Sequence, residues 1–392
     1  MTQNVSTYNI ELRDKAGNLK QYLTPWATDI SWEWNRIGGC GRCSMKINLP
    51  YRHIDFSAGD DIQIRIKSGS TTKLMYRGWI SGINPSLSDS QVISLDIRGY
   101  FDRLQNIVVQ DVGDKSTYVS MLVSDIVDEI VDNFIIGNTP ITKGTIDSAI
   151  FTVDTISFKT KLSEVLATLA DLEGNVEYGV DEDLVFFWRT ADETLKNKFF
   201  VGNNIAIFER KIDWSKLVNK IYFEGGEVGG VKFLRTAEAV DSQAMYFLSE
   251  SILTNTAIIT SSVADQYLGA KLKGSAIPTI SLRAKIVNTD KRIEDTVPLG
   301  QIAIYDPDYD SELYTVGEAV DGGSDLTVGL TDDGGSDAVI GGVFQGQIDK
   351  ITYSLADTPE RFNAEITLGL SLLDVSSRIK QIELLLSNLR QG

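Results

Sequence analysis

The sequence predicts a mainly β protein with an α+β insertion, in which one β-barrel occurs twice within a single chain. Three observations support this class. Short runs of alternating apolar and polar residues fill both ends of the 392-residue chain, and two helical patterns interrupt them. Three blocks of the first end also recur, in the same order, in the second. A chain of this length is too long for one ordinary core, so several domains are expected.

The first barrel contains both cysteines of the chain, Cys40 and Cys43, in the segment IGGCGRCSMKINLP. Apolar and polar residues alternate on both sides of its glycines, which predicts two half-buried strands. The glycines suit a tight connection, so Cys40 is expected in a hairpin turn and Cys43 in the core. Structural zinc needs four ligands and the only histidine is His53, while a redox C-x-x-C begins a helix. A hairpin is therefore favoured over a metal or redox site.

Two helices are predicted after the first barrel. Apolar residues recur at helical spacing over 119–134, with Ser116 or Thr117 as the candidate N-cap. The same spacing recurs over 162–172, where Gly174 is placed to end the helix. The segments NVEYGV and LVFFWR, separated by DED, then predict a β-hairpin.

These patterns divide the chain into three domains and a terminal helix. The inserted helix-and-hairpin domain separates two β-rich parts. The predicted boundaries are 1–109 for the first barrel, 110–205 for the insertion, 206–374 for the second barrel region with a Gly/Asp-rich flap at 306–342, and 375–392 for the C-terminal helix.

An internal duplication connects the two β-rich parts. RGWISGINPSLSD matches QGQIDKITYSLAD without a gap, AGDDIQIRI resembles PLGQIAIYD, and LDIRGYFDRL resembles EITLGLSLLD. Three blocks in the same order indicate two copies of one barrel, the second interrupted by the flap. The matched glycines are Gly59 with Gly300, Gly78 with Gly346, and Gly99 with Gly369.

The flap contains the sequence DGGSD twice. Aspartate clusters with glycine turns suggest a Ca²⁺ site, but the repeat of calcium-binding β-rolls is not met. Two Gly-rich hairpin tips are favoured, and no metal is expected. Because inserted exposed loops often contact partners, the candidate flap contacts are Asp321, Asp325, Asp333 and Asp337.

The C-terminal helix contains a short heptad seam. Its apolar residues are spaced 4, 3, 4 and 3, and isoleucine at neighbouring core positions favours three or more strands. Two heptads are short for a coiled coil, so packing on the chain's own barrel is an equal alternative. The candidate trimer or partner contacts are Val375, Ile379, Ile382, Leu386 and Leu389.

The charge balance and the motif search both point away from nucleic-acid binding and catalysis. With 54 acidic and 37 basic residues the net charge is −17, which opposes binding of phosphate backbones. An acidic wall around passing DNA and simple solubility both fit this balance. No apolar signal segment or membrane-spanning stretch occurs, so synthesis as a soluble protein in a cytoplasm is expected. No catalytic motif is found, so no enzyme activity and no cofactor are expected.

Several segments resemble the baseplate hub or tail-tip proteins of tailed bacteriophages, which are related to the central hub of contractile-tail phages. WNRIGGCGRCSMKINLP is similar to the first hairpin of such hubs, and KLSEVLATLADLEGNVEYGVDEDLVFFW to their inserted domain. KLVNKIYFEGG and VPLGQIAIYD are similar to parts of the second barrel. The resemblance covers nearly the whole chain and implies that both barrels have the tail-tube fold.

The resemblance implies a structural role in the virion tail, after assembly in the host cytoplasm. Three chains with two barrels each would form a homotrimeric, pseudo-sixfold ring that continues and closes the sixfold tube. The implied partners are the tail tube protein, the distal tail ring protein, the tape-measure C-terminus and fibre or spike proteins. The hub would open for genome ejection during host cell entry, and DNA would pass without specific binding. The alternatives are a carbohydrate-binding or depolymerising tail protein and the hub of a contractile injection or secretion system.

Overall fold

The structure is a computed structural model and describes residues 7–48, 54–68, 70–85, 92–110, 116–192, 194–286, 301–306, 342–355 and 362–369. Strands dominate these ranges, which also contain four α-helices. The predicted mainly β class is therefore confirmed.

The N-terminal part forms seven strands, β1 (Thr7–Arg13), β2 (Leu19–Tyr22), β3 (Ala27–Asn35), β4 (Ile37–Asn48), β5 (Asp61–Ser68), β6 (Thr71–Pro85) and β7 (Val92–Gly99). Their alternating pattern determines which face is buried. In β5, Ile62, Ile64 and Ile66 lie on one face and all three are buried, as the two-residue period of a strand requires.

The middle part combines helices with short strands. A 3₁₀ helix, Tyr100–Asn106, leads into it. The following elements are β8 (Val108–Val109), β9 (Thr117–Leu122), α1 (Val123–Ile130) with a π-helical turn at Val131–Ile135, β10 (Thr142–Ile146), β11 (Thr152–Ser157), β12 (Thr160–Lys161), α2 (Leu162–Glu173), β13 (Val176–Val180) and β14 (Val185–Thr190).

One of the two predicted helices begins later than expected. Residues 117–122 form β9, which pairs with β11, and the helix starts only at Val123. Neither Ser116 nor Thr117 is its cap, because the helix begins at Val123 and Leu122 occupies the N-cap position. The second helix and the hairpin are confirmed: α2 ends at Gly174, whose φ is 100°, and β13 pairs antiparallel with β14.

The C-terminal part returns to strands. Its elements are β15 (Leu195–Phe200), β16 (Ile205–Asp213), β17 (Lys220–Val228), β18 (Val231–Glu238), α3 (Val240–Tyr246), β19 (Glu250–Thr254), α4 (Ser261–Ser275), β20 (Thr279–Ile286), β21 (Gln301–Asp306), β22 (Gly342–Leu355) and β23 (Phe362–Gly369).

Sixteen strands join into one sheet that runs in the order β16, β20, β23, β22, β3, β4, β7, β6, β5, β1, β2, with the other five attached at its sides. The pairing of β3 with β22 connects the two β-rich parts. Among the strands that the structure describes, this sheet does not close into a barrel. The expectation of two separate barrels is therefore not confirmed, since the copies share a continuous sheet.

The duplication is visible as a repeated order of six strands. The first unit has the order β1, β5, β6, β7, β4, β3, and the second has β15, β21, β22, β23, β20, β16. We call these the first unit and the second unit. They differ at one end, where β1 is antiparallel to β5 but β15 is parallel to β21.

The strand register of the two units also agrees, and both units have a β-bulge at the same position. Ile62 lies opposite Gly78 in the first unit, as Ile302 lies opposite Gly346 in the second. In both units the pairing then shifts at a β-bulge, whose extra residue is Ser81 in β6 and Asp349 in β22. The ungapped match of these two strands is thus a match of backbone geometry.

The register also tests the two flanking glycine matches. Gly369 lies opposite Gln347 as Arg98 lies opposite Trp79, so Arg98 rather than Gly99 corresponds to Gly369. The predicted match of Gly99 with Gly369 is therefore wrong by one residue, because the strand register, and not the shared glycine, sets the correspondence. Gly300 lies outside the described residues.

Two hydrophobic cores underlie these elements. The first contains apolar residues of both units, including Trp32, Ile80 and Ile351. The second unites the middle part with β17, α4 and their connections, for example Leu166 and Tyr267. The domain boundaries given above stay a prediction.

Candidate assembly surfaces

The two units meet where β3 pairs antiparallel with the end of β22. The register runs from Lys350 opposite Asn35 to Leu355 opposite Ile30, and we call this pairing the internal seam. Three aromatic rings stack beneath it, Trp32 with Tyr353 at 5.3 Å and with Phe362 at 5.9 Å between centroids. Both units therefore contribute to one buried aromatic group, which fixes their relative position.

Charged groups close one end of the internal seam. The backbone N–H of Arg36 donates to the carbonyl of Asp349 at 2.9 Å, and its Nε donates to the Asp349 carboxylate at 3.1 Å. Its Nη1 also donates to Gln347 Oε1 at 3.2 Å. Lys350 forms an ion pair with Glu33 one step further along. Since these side chains are partly exposed, each ion pair contributes about 0–1 kcal/mol and mainly specifies register.

A buried carboxyl group connects the insertion to this seam. Glu177 in β13 is fully buried, and its Oε1 accepts a hydrogen bond from Gln347 Nε2 at 3.2 Å. The Arg189 guanidinium lies 3.9 Å from its other oxygen. Burial raises the pKa of Glu177 to about 7, and the charges of Arg36 and Arg189 oppose this rise. The group therefore titrates near neutral pH.

The glycines before Cys40 make a close contact with the insertion. Gly38 and Gly39 have φ of 107° and 71°, and both lie inside β4, opposite Gly179 and Val180 of β13 in a parallel pairing. A Cβ at Gly39 would overlap the carbonyl of Val180. These positions need glycine because two backbones approach each other here.

This contact corrects the expectation for the cysteines. The hairpin exists, but its turn lies at Arg36, between β3 and β4, and Cys40 is a buried strand residue. Cys43 points into the core as expected. Both thiols are free, and burial raises the pKa of each. Neither is therefore set up as a thiolate ligand or nucleophile.

An exposed apolar surface lies on β17, β18 and β19, which form a separate three-stranded sheet. Its inner face buries Ile221 and Phe223. Its outer face carries Tyr222, Leu234 and Ile252, which are 40%, 64% and 67% exposed. Grouped exposed apolar residues of this kind are typical of protein-contact surfaces.

The site residues predicted from the sequence lie outside the described residues. This applies to the helix contacts Val375, Ile379, Ile382, Leu386 and Leu389, and to the flap contacts Asp321, Asp325, Asp333 and Asp337. All nine stay predictions. Sequence reasoning missed Arg36, Asp349 and Glu177, although a charged residue within the apolar run VEYGV was a usable indication of a special environment.

Within the described residues, no group of three or more His, Cys, Asp or Glu side chains is placed to hold a metal ion. Over the same part of the chain, no helix is both long enough and apolar enough to cross a membrane.

Comparison with known proteins supports a single class of fold. No protein-family model and no curated protein sequence matches the chain. Solved structures do match. The 43 kDa tail protein of prophage MuSo2 from Shewanella oneidensis aligns over 94% of this chain and 99% of its own, with TM-score 0.59 and 14% identity. The chain has the fold of phage tail proteins.

Two further structures agree with this tail-protein fold. The tail protein from Neisseria meningitidis MC58 covers 92% of this chain and 96% of its own, with TM-score 0.59 and 13% identity. The prophage tail protein gp18 from Listeria monocytogenes EGD-e covers 97% and 99%, with TM-score 0.52 and 12% identity. The resemblance to tail proteins deduced from the sequence is thus confirmed at the level of the fold.

Proposed function

We propose that this chain is a structural, non-enzymatic hub at the tip or baseplate of a phage tail. The observation that carries the proposal is the end-to-end match with tail proteins, which spans 94% of this chain and 99% of the Shewanella protein. Nearly every element of the chain therefore has a counterpart in a tail protein.

The duplicated strand unit supports a trimer. Each chain contributes two units of equal strand order, so three chains supply six similar units. Such a ring has pseudo-sixfold symmetry on the side of a sixfold tail tube and threefold symmetry on the other side. A duplication of this kind lets one protein match both symmetries at such a junction.

The proposed partners follow from that position. The ring would contact the tail tube protein, the distal tail ring protein and the tape-measure C-terminus, and it would support fibre or spike proteins. It would close the tube before infection and open for DNA ejection into the host. The net charge of −17 suits a lumen through which DNA passes without binding. The chain would be assembled in the host cytoplasm and reside in the virion tail.

A carbohydrate-binding role has less support. It requires exposed aromatic rings beside paired carboxylates. Three of the six tryptophans, Trp32, Trp34 and Trp188, are 0%, 5% and 1% exposed and belong to the cores, so these three are not available to stack on a sugar.

Cryo-electron microscopy of tails from cells that produce the virion tests the proposal. We expect three copies around the tube axis at the tip, each contributing two units to one ring. Copies at the periphery, away from the axis, would contradict it. Light scattering of the purified full-length chain gives an independent measure, with an expected mass three times that of one chain.

A further inference from the structure

The repeat of the strand units implies a second seam like the internal one. Among the residues that the structure describes, the two strand edges that would form it are unpaired in a single chain. In the second unit β22 corresponds to β6 of the first, and β16 corresponds to β3. Following the cross-strand partners of β6 and β22 from strand to strand gives the equivalent residues of the two units. These are Ile97 with Leu368, Cys43 with Leu282, and Trp32 with Arg210. One residue further along β3, Glu33 therefore corresponds to Lys211.

The open counterpart consists of two strand edges. The end of β6 from Gly82 onward pairs with β7 on one side only. From Ile207 onward β16 pairs with β20 on one side only, while its first residue, Ile205, also bridges Val201. No other strand in the described part of the chain pairs with either of these edges. Such edges present backbone N–H and C=O groups that can pair with another chain. Within the described ranges the two edges are also not paired with each other.

Burial differs between the internal seam and its open counterpart. Ile351 under the internal seam is fully buried, whereas the corresponding Ile83 is only partly buried against the core. Arg36 donates its backbone N–H across the internal seam, and the residue in its place in the second unit, Trp214, is 57% exposed. Ile207 in β16 is 49% exposed. Apolar side chains therefore remain uncovered where a neighbouring strand is missing.

We propose that β16 of one protomer pairs antiparallel with the end of β6 of the next protomer, as a repeat of the internal seam. The partner of this surface is a second copy of this chain. Transferring the register of the internal seam places Gly82 opposite Asp213 and Asn84 opposite Lys211. Because the two edges differ, the contact is head-to-tail and forms a ring when the rotation closes. The proposal rests on the proposed function, because three copies give three internal and three intermolecular seams.

The intermolecular seam differs from the internal one in its chemistry. The internal seam has the ion pairs Arg36–Asp349 and Lys350–Glu33. At the corresponding positions of the intermolecular seam are Trp214 with Ser81, and Gly82 with Lys211. Ion pairs are thus replaced by an apolar ring and by strand pairing alone. Salt should therefore weaken the trimer little.

Disulfide trapping tests the proposed register. Asn84 and Lys211 are both exposed, and opposite residues of antiparallel strands are close enough for a disulfide. Under mild oxidation, the full-length double variant Asn84→Cys, Lys211→Cys should give covalent dimers and closed trimers on a non-reducing gel. The native thiols Cys40 and Cys43 are buried and can remain.

Matched controls separate register from random collision. The double variant Asn84→Cys, Ile207→Cys displaces the second thiol by four residues along the same strand and should stay monomeric on the gel. Either single variant should also stay monomeric on the gel. In a head-to-tail contact a residue does not lie opposite the same residue of the neighbouring protomer. A mixture of the two single variants should give covalent dimers only. Equal crosslinking in the displaced control would overturn the register.

The outcome also distinguishes this proposal from the proposed function. A trimer by light scattering whose Asn84→Cys, Lys211→Cys double variant does not crosslink would overturn the seam and leave the trimeric hub in place. A chain that stays monomeric and uncrosslinked at every concentration would contradict both. Far-ultraviolet circular dichroism of each variant checks that the introduced thiols have not unfolded it.

Discussion

Ser81 and Asp349 occupy the same bulge in the two units but contact different groups. The Ser81 hydroxyl donates to the Asp96 carbonyl of its own unit at 3.0 Å, whereas the Asp349 carboxylate accepts from Arg36 of the other unit. Gln347 and Trp79, two residues before these bulges, differ in the same way. Gln347 donates to Glu177, and the Arg103 guanidinium lies 4.2 Å over the Trp79 ring. The duplication thus preserved backbone register while the side chains specialised, one set for the internal seam.

The largest expected effect comes from a contact that only the first unit makes with the insertion. Gly39→Ala places a methyl group against the Val180 carbonyl and forces an alanine into a φ of 71°. We expect a loss of about 4 kcal/mol or more in the free energy of unfolding, measured by urea denaturation. The matched control is Gly17→Ala, which has a φ of 87° but open space around it and should cost about 1 kcal/mol. Equal losses would mean that the β4–β13 contact adjusts freely.

A matched pair of isoleucines compares the two units directly. Ile351→Ala removes a fully buried side chain beneath the internal seam, and Ile83→Ala removes its partly buried counterpart. We expect losses of about 3 kcal/mol and about 1 kcal/mol in the unfolding free energy of the monomer. Thermal and urea denaturation at low protein concentration measure both. Equal losses would contradict the difference in burial.

Glu177 provides a pH-dependent comparison, since Gln347 of the second unit donates a hydrogen bond to its carboxyl group. Its folded-state pKa of about 7 lies above the ordinary value of 4.5, so the folded chain holds a proton that the unfolded chain releases between these values. The free energy of unfolding should therefore decrease as the pH rises from 4.5 to 7. Glu177→Gln should remove this decrease and stabilise the chain at pH 8 by on the order of 2 kcal/mol. Identical pH profiles of the two proteins would show that this carboxyl is not the titrating group.

The smallest expected effect on the free energy of unfolding comes from substitutions at the two β-bulges. Asp349→Ala deletes the carboxylate that Arg36 contacts, at a cost of about 1 kcal/mol, because the pair is partly exposed. Ser81→Ala deletes one hydrogen bond within its own unit and should cost about 0.5 kcal/mol. Raising the salt concentration should reduce the first loss and leave the second unchanged. A salt-independent loss for Asp349→Ala would argue against an electrostatic contribution.

Local patterns predicted the elements that depend on local chemistry. Local sequence patterns predicted the strands β3 and β4 and the β13–β14 hairpin, and Gly174 correctly marked the end of α2. The duplication was visible because backbone register is repeated together with its apolar positions. The strand β6 and its counterpart β22 therefore aligned without a gap.

The predictions from local sequence patterns were wrong or incomplete where distant segments of the chain determine the local structure. The glycines at 38 and 39 indicate a turn locally, yet they serve a contact with β13 about 140 residues away. Residues 117–122 have apolar positions at helical spacing but pair with β11 as a strand. The internal seam joins residues 30–35 to 350–355, and no local pattern specifies such a pairing. Tertiary pairing overrides local preference in all three cases.

The length of chain enclosed by the internal seam has a consequence for synthesis. The edge of β3 with Trp32 is made early, but its partner, residues 350–355 of β22, follows more than 300 residues later. At about 5–20 residues per second this interval is about 15 to 60 s. Throughout that time the nascent chain exposes an unpaired strand edge and an apolar ring. The final strands thus protect the first ones, and premature termination would leave an aggregation-prone fragment.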